Sequence, residues 1–232
     1  MKVEVHADAA AVARAAATII AAEARAVEAT RGRFVMALSG GPTAWPMLRA
    51  LALEAVPWKA VYLVQVDERV VSAGHPERNL THIRESLLRH SPLRAEQLVT
   101  MPVEEPDLGT AAARYAHRLA ELAGVPPVID LVHLGLGADG HTAALMPGDP
   151  VLQVTDADVA VTAPYEGHRR MTLTYPILAR ARGIMWVVTG SDKTAALARL
   201  RKADVAIPAG RVPGEHALVL TDCLADGEPG PY

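Results

Sequence analysis

The chain has 232 residues, 50% of them hydrophobic, with a formal net charge of -3 and a single cysteine. That length is enough to bury a sizeable core in one large domain or two small ones. The near-neutral balance, with basic residues scattered rather than blocked, gives no electrostatic footprint for nucleic acid. A lone Cys223 excludes an internal disulfide and fits a reducing compartment; it reads as a small packing residue, not a nucleophile.

The Ala-rich opening stretch is interrupted by Arg14, Glu23, Arg25 and Glu28. No run reaches the ~18 uncharged apolar residues of a membrane span. No basic start followed by a clean apolar segment marks a secretory signal. The expectation is a cytoplasmic protein with no membrane partner.

Short β-rich runs alternate with longer Ala-, Leu- and Arg-rich runs. In chain order they predict strands over 2–6, 34–38, 60–66, 128–134, 159–163, 171–174, 184–189 and 217–220. Helices are predicted over 8–31, 43–54, 79–89, 107–123, 176–181 and 191–200. Runs such as FVMAL and AVYLVQV are apolar throughout, as expected of parallel strands covered by helices on both faces. With no internal repeat and no long linker, residues 1–232 read as one α/β domain with a mainly parallel sheet. The closing DGEPGPY is expected to fray. Ligands of such sheets sit beyond the carboxyl ends of the strands, so the loops there carry the functional signal.

After the strand VIDLVHL comes GLGADG at 135–140, a literal G-x-G-x-x-G. A dinucleotide fingerprint needs a crossover helix next, but HTAAL meets Pro147-Gly148 within a few residues. Asp139 would also repel a pyrophosphate. The alternative is a close-turning loop that presents Asp139 and His141 together, the carboxylate orienting the imidazole as a general base. A turn-capping aspartate beside a surface histidine would look the same in sequence.

FVMAL is followed by Ser39-Gly40-Gly41-Pro42-Thr43 and a predicted helix. Adjacent glycines turn backbone N–H groups inward, and a helix start adds a favourable dipole; both suit a phosphate. The Walker lysine is absent, so this is no nucleotide P-loop. IMWVVT leads to Gly190-Ser191-Asp192-Lys193. A lysine in a helix's first turn opposes the macrodipole, a conflict that a bound anion would remove. Asp67-Glu68-Arg69 after AVYLVQV is either a solvated turn or part of a polar site, and Arg169-Arg170 needs no explanation beyond a surface pair. His133 falls inside a strand and reads as a hydrogen-bonded structural residue. No His/Cys/Asp spacing resembles a metal site, and no G-x-S-x-G is present.

Taken together, SGGPT at 39–43, DERVV at 67–71 with Asn79 downstream, LGLGADGHTAALMPG at 134–148, RMTLT at 170–174 and TGSDK at 189–193 resemble the 6-phosphogluconolactonase family. These segments span nearly the whole chain, and Gly140-His141-Thr142-Ala143 is the most specific of them. The chain departs from the family pattern at Pro42, Ala44, Ser72 and Arg78, and lacks a tryptophan around 217–221. The related glucosamine-6-phosphate deaminases usually carry an Asn-Glu pair where Leu145 and Met146 stand here, side chains that cannot transfer protons.

The resemblance implies a Rossmann-like three-layer fold and hydrolysis of 6-phospho-D-glucono-1,5-lactone, without metal or organic cofactor. His141 would be the general base, oriented by Asp139, and Arg69 would stabilise the oxyanion. Ser39, Gly40, Gly41, Thr43 and Lys193 would hold the phosphate, with Arg170 as a further contact. Asp67 would bind sugar hydroxyls or position Arg69. The implied partner is a phosphorylated sugar lactone, with the chain a monomer or small homo-oligomer. A deaminase-like enzyme and a non-catalytic sugar-phosphate sensor are the competing readings.

Overall fold

A computed structural model describes residues 1–223; the DGEPGPY segment lies outside the described residues. The first half of the chain forms β1 (Lys2–Val5), α1 (Ala9–Arg31), β2 (Phe34–Leu38), α2 (Ala44–Leu51), β3 (Val61–Gln65), β4 (Asp67–Arg69), α3 (Asn79–Ser86) and β5 (Leu98–Val99). The second half forms α4 (Leu108–Ala123), β6 (Leu131–Leu134), β7 (Val159–Val161), β8 (Arg170–Leu173), α5 (Tyr175–Ala179), β9 (Gly183–Val188), α6 (Thr194–Arg201) and β10 (Ala217–Thr221).

Seven strands make one sheet in the order β1-β10-β9-β6-β2-β3-β5, every pairing parallel. Successive side chains of a strand point to opposite faces, and here both faces are buried. Phe34, Met36 and Leu38 pack with Val12, Ile20, Met47 and Ile83 from α1, α2 and α3. Val35 and Ala37, one residue out of phase, pack with Tyr115, Ile177 and Leu197 from α4, α5 and α6. This explains why the strands read as unbroken apolar runs, and it makes three layers. Long α1 starts where the Asp8 carboxylate accepts the Ala11 N–H at 2.7 Å and stops at Gly32, whose φ of 74° leaves the helix. Among the described residues, no helix is long and apolar enough to cross a membrane.

The strands predicted at 159–163 and 171–174 do not join this sheet. As β7 and β8 they pair antiparallel with β4 in a separate three-stranded sheet. The strand at 67–69 was not expected, and neither was β5. Elements of two or three residues are too short to display a period. Val66 links the sheets: its N–H donates to Leu38 O at 2.9 Å, extending the β2–β3 ladder, and its carbonyl accepts from Leu173 N–H at 2.8 Å.

Just after this junction, Glu68 is fully buried. Its carboxylate accepts from Gln65 Nε2, from the backbone N–H of Arg69 and Asn79 (each at 2.8 Å), and from that of Leu80 at 2.9 Å. Arg78 Nε stands 3.3 Å away, itself buried. One side chain thus caps α3, fixes the turn out of β3 and neutralises an interior guanidinium. Removing one partner of a buried pair leaves the other charge uncompensated. Glu68→Ala is expected to lower folding stability by ~3–5 kcal/mol, seen as a fall in the urea unfolding midpoint. A midpoint equal to the parent's would show that this carboxylate does not hold the junction.

Candidate active site

Along the sheet the chain runs outward from β2 to β3 and β5, then returns to β6 and runs the other way to β9 and β10. The order reverses between β2 and β6, and there the loops leaving neighbouring strands diverge and open a crevice. A cavity of about 220 Å³ lies at that point. Its walls come from the loop after β2 (Ser39, Gly41, Thr43), from β4 (Asp67, Arg69), from the loop after β6 (Gly137, His141) and from Lys193 after β9. A larger groove of about 740 Å³ runs between α4 and β7. Its Arg180 and Asp158 are paired with each other, and nothing of the strand-end loops reaches it.

The GLGADG loop is a scaffold for a pair of side chains. His141 Nδ1 lies 2.6 Å from Asp139 Oδ1, and the His141 backbone N–H reaches the same oxygen at 3.1 Å. A Cβ on Gly137 would overlap the His141 ring and stand 2.5 Å from Asp139 Oδ1, so only glycine lets the pair fold back over the turn. Gly140 takes φ 85°, and a Cβ there would lie 2.6 Å from Ile207 Cβ. Thr142 Oγ1 closes the loop on Gly135 O at 2.9 Å. Burial works to raise the Asp139 pKa, but the His141 backbone N–H and ring outweigh it and hold the carboxylate below its usual range. A carboxylate at this distance favours the tautomer with the proton on Nδ1.

Period-2 alternation in β4 resolves the acidic doublet. Asp67 and Arg69 face the cavity while Glu68 points inward. Burial pushes the Asp67 carboxyl up, against the pull of Arg69, Arg170 and His141. Arg69 is steadied by a 2.9 Å bond to Glu77 O. Arg170 pairs across β8 with Arg69 and does not line the cavity; its guanidinium lies 5.0 Å from the Tyr165 ring centroid. Gly40 also stands back from the cavity, because its bare Cα accommodates Asn79. The Ser39 hydroxyl donates to His133 O at 3.0 Å, so its proton is committed to the strand. Lys193 sits in a short 3-10 turn ahead of α6 and pairs with Asp192 at 2.9 Å. The helix-dipole conflict expected from sequence is therefore relieved by its neighbour; Lys193 stands on the cavity wall.

Asn79 and His133 also line the cavity, and the hydrogen bonding expected for the His133 ring is not found. Asn79 donates to Asp67 O at 2.9 Å, and its Oδ1 is buried without a partner. His133 is 1% exposed, lines the cavity, and has no partner at either ring nitrogen. A polar residue in an otherwise apolar strand was the available signal for the second.

A family model described as glucosamine-6-phosphate isomerases/6-phosphogluconolactonase matches residues 7–220. The chain belongs to this family. It is 35% identical over 206 residues to the 6-phosphogluconolactonase of Nostoc sp., covering 85% of each chain. Among solved structures, the 6-phosphogluconolactonase of Thermotoga maritima superposes with a TM-score of 0.84 at 23% identity, over 95% of this chain and 98% of the other. A monomeric glucosamine-6-phosphate deaminase superposes almost as well, with a TM-score of 0.82 at 17% identity, over 95% of this chain and 97% of that one. Backbone likeness therefore does not separate the two activities within the family. Leu145 and Met146 are buried and apolar.

Burial lowers the His133 pKa from its ordinary 6.5 to about 4, so the ring is neutral at pH 7. An unfolded chain takes up this proton near pH 6.5, whereas the folded one does so only near pH 4. The stability His133 contributes is thus complete above the higher value, drains as pH falls, and is gone below the lower one. The window corresponds to roughly 3 kcal/mol. His133→Leu is expected to flatten this acid limb. Urea unfolding at a series of pH values measures it, and equal losses in parent and variant would contradict the assignment.

Proposed function

We propose that this protein hydrolyses 6-phospho-D-glucono-1,5-lactone to 6-phosphogluconate, with His141 as general base. The observation that carries the reading is the Asp139–His141 pair, folded over Gly137 at the reversal point of the sheet, with Nδ1 as the nitrogen turned to the carboxylate. Nε2 takes a proton from water as its oxygen bonds to the lactone C1. Negative charge then develops on the carbonyl oxygen, and the Arg69 guanidinium on the cavity wall stabilises it. Collapse breaks the bond from C1 to the ring oxygen, and His141 returns its proton to that leaving oxygen. Asp139, held ionised, stabilises the imidazolium in between.

The phosphate is bound remotely, by the glycine loop of Gly41 and Thr43 and by Lys193. Its binding energy fixes C1 against His141, which converts affinity into rate. The raised Asp67 carboxyl, with Asn79 behind it, suits a sugar hydroxyl. Neither Leu145 nor Met146 offers the carboxylate that amino-sugar ring opening uses, which weighs against the deaminase reading.

The test is a lactonase assay corrected for spontaneous hydrolysis, run beside an ammonia assay on glucosamine 6-phosphate. Lactone turnover with no ammonia above background is expected, and the reverse would overturn the proposal. His141→Asn should fold, bind 6-phosphogluconate, and lose ~10²–10⁴-fold in kcat. Asp139→Asn should move in the same direction. Near-parent kcat in a folded His141→Asn protein would rule out His141 as the base.

A further inference from the structure

Nothing in the mechanism above uses His133, yet its setting is unusual for a structural residue. In β6 it shares a face with Leu131, the face covered by α1, α2 and α3. An apolar side chain there would pack without penalty, as Leu131 does. The imidazole is instead buried with both nitrogens unsatisfied, an arrangement that natural interiors avoid unless something else provides the partner.

His133 lines the same cavity as Ser39, Gly41, Thr43 and Ala44, the turn that starts α2, with both ring nitrogens buried beneath its surface. No side chain caps this helix. The Ser39 hydroxyl, the other polar group nearby, already donates to the His133 carbonyl. A helix start carries partial positive charge, and Lys193 adds a full charge on the same cavity. The helix start and the unpartnered imidazole both suit an acceptor with negative charge.

We propose that His133 is a phosphate-binding residue, its ring N–H donating to an oxygen of the phosphate seated at the start of α2. This rests on the sugar-phosphate reading of the cavity. Burial keeps the ring neutral, so one nitrogen always carries a proton to offer. A neutral donor also binds the anion without adding a buried charge to the empty site. The contact lies beneath the ligand, where water is excluded and a hydrogen bond to a charged oxygen is strongest.

The experiment measures binding of inorganic phosphate and of 6-phosphogluconate by calorimetry for the parent, His133→Leu and, as a control, Lys193→Ala. His133→Leu is expected to weaken both ligands about tenfold to a hundredfold, the loss of one hydrogen bond to a charged group. Its lactonase defect should fall mainly on KM, and His133→Gln, which retains an N–H, should recover part of the affinity. In the parent, the His133 ring nitrogen resonances should shift on titration with inorganic phosphate, a readout that needs no variant to fold. Unchanged phosphate affinity in folded His133→Leu, or ring resonances that phosphate does not move, would overturn the inference. So would a loss confined to 6-phosphogluconate, because it would place the ring against the sugar. If phosphate binding depends on His133 but no lactone is hydrolysed, the reaction reading fails and this assignment stands.

Discussion

The buried Glu68 carboxylate is the constraint on which the candidate site depends. Four hydrogen bonds and the Arg78 guanidinium converge on it. Through them the end of β3, all of β4 and the start of α3 become one unit. A charge taken out of water so completely is tolerated only when its acceptor sites are filled, and that demand leaves the surrounding backbone little freedom. Asp67 and Arg69, on either side of Glu68, inherit this rigidity. They are first-turn products of a chain that has just left the parallel sheet, and without such an anchor they would belong to a flexible loop.

The second constraint is backbone space. The loops after β2 and β6 meet where strand order reverses, and each relies on a glycine that no other residue replaces. Gly40 lets Asn79 approach; Gly137 lets Asp139 and His141 lie back over their own turn. The carboxylate and imidazole are therefore held by packing as well as by their 2.6 Å contact. Preorganisation of this kind spares a site the cost of assembling its base and orienting group during each turnover.

The family sets different chemistries on one scaffold. The close superposition on both a lactonase and a deaminase shows that one fold carries both. In the reading proposed above, the glycine loop and Lys193 would hold the sugar phosphate, and the His141–Asp139 pair with Arg69 would decide the reaction.

By itself the sequence determined the parallel α/β architecture, because both-face burial writes continuous apolar runs that helices must cover. It also determined the chemical pieces at the strand ends, since glycines, a D-x-H step and a lysine before a helix are local features. The separate antiparallel sheet was not legible: β4 pairs with β8 about a hundred residues later, and three-residue strands carry no periodicity. Nor was the split of Asp67 from Glu68, since which member of a charged triplet faces solvent, ligand or core depends on the pairing register. The sequence argument for Lys193 relied on a helix dipole that Asp192 already answers, and only the cavity placed that lysine at the site. Ser39 and Arg170 entered as phosphate contacts through the resemblance alone. Tertiary contacts gave the Ser39 proton to a strand carbonyl and set Arg170 beside Arg69. His133 shows the same limit from the other side. Its position in a strand implied a structural role, and only three-dimensional packing revealed that nothing in the protein satisfies its ring.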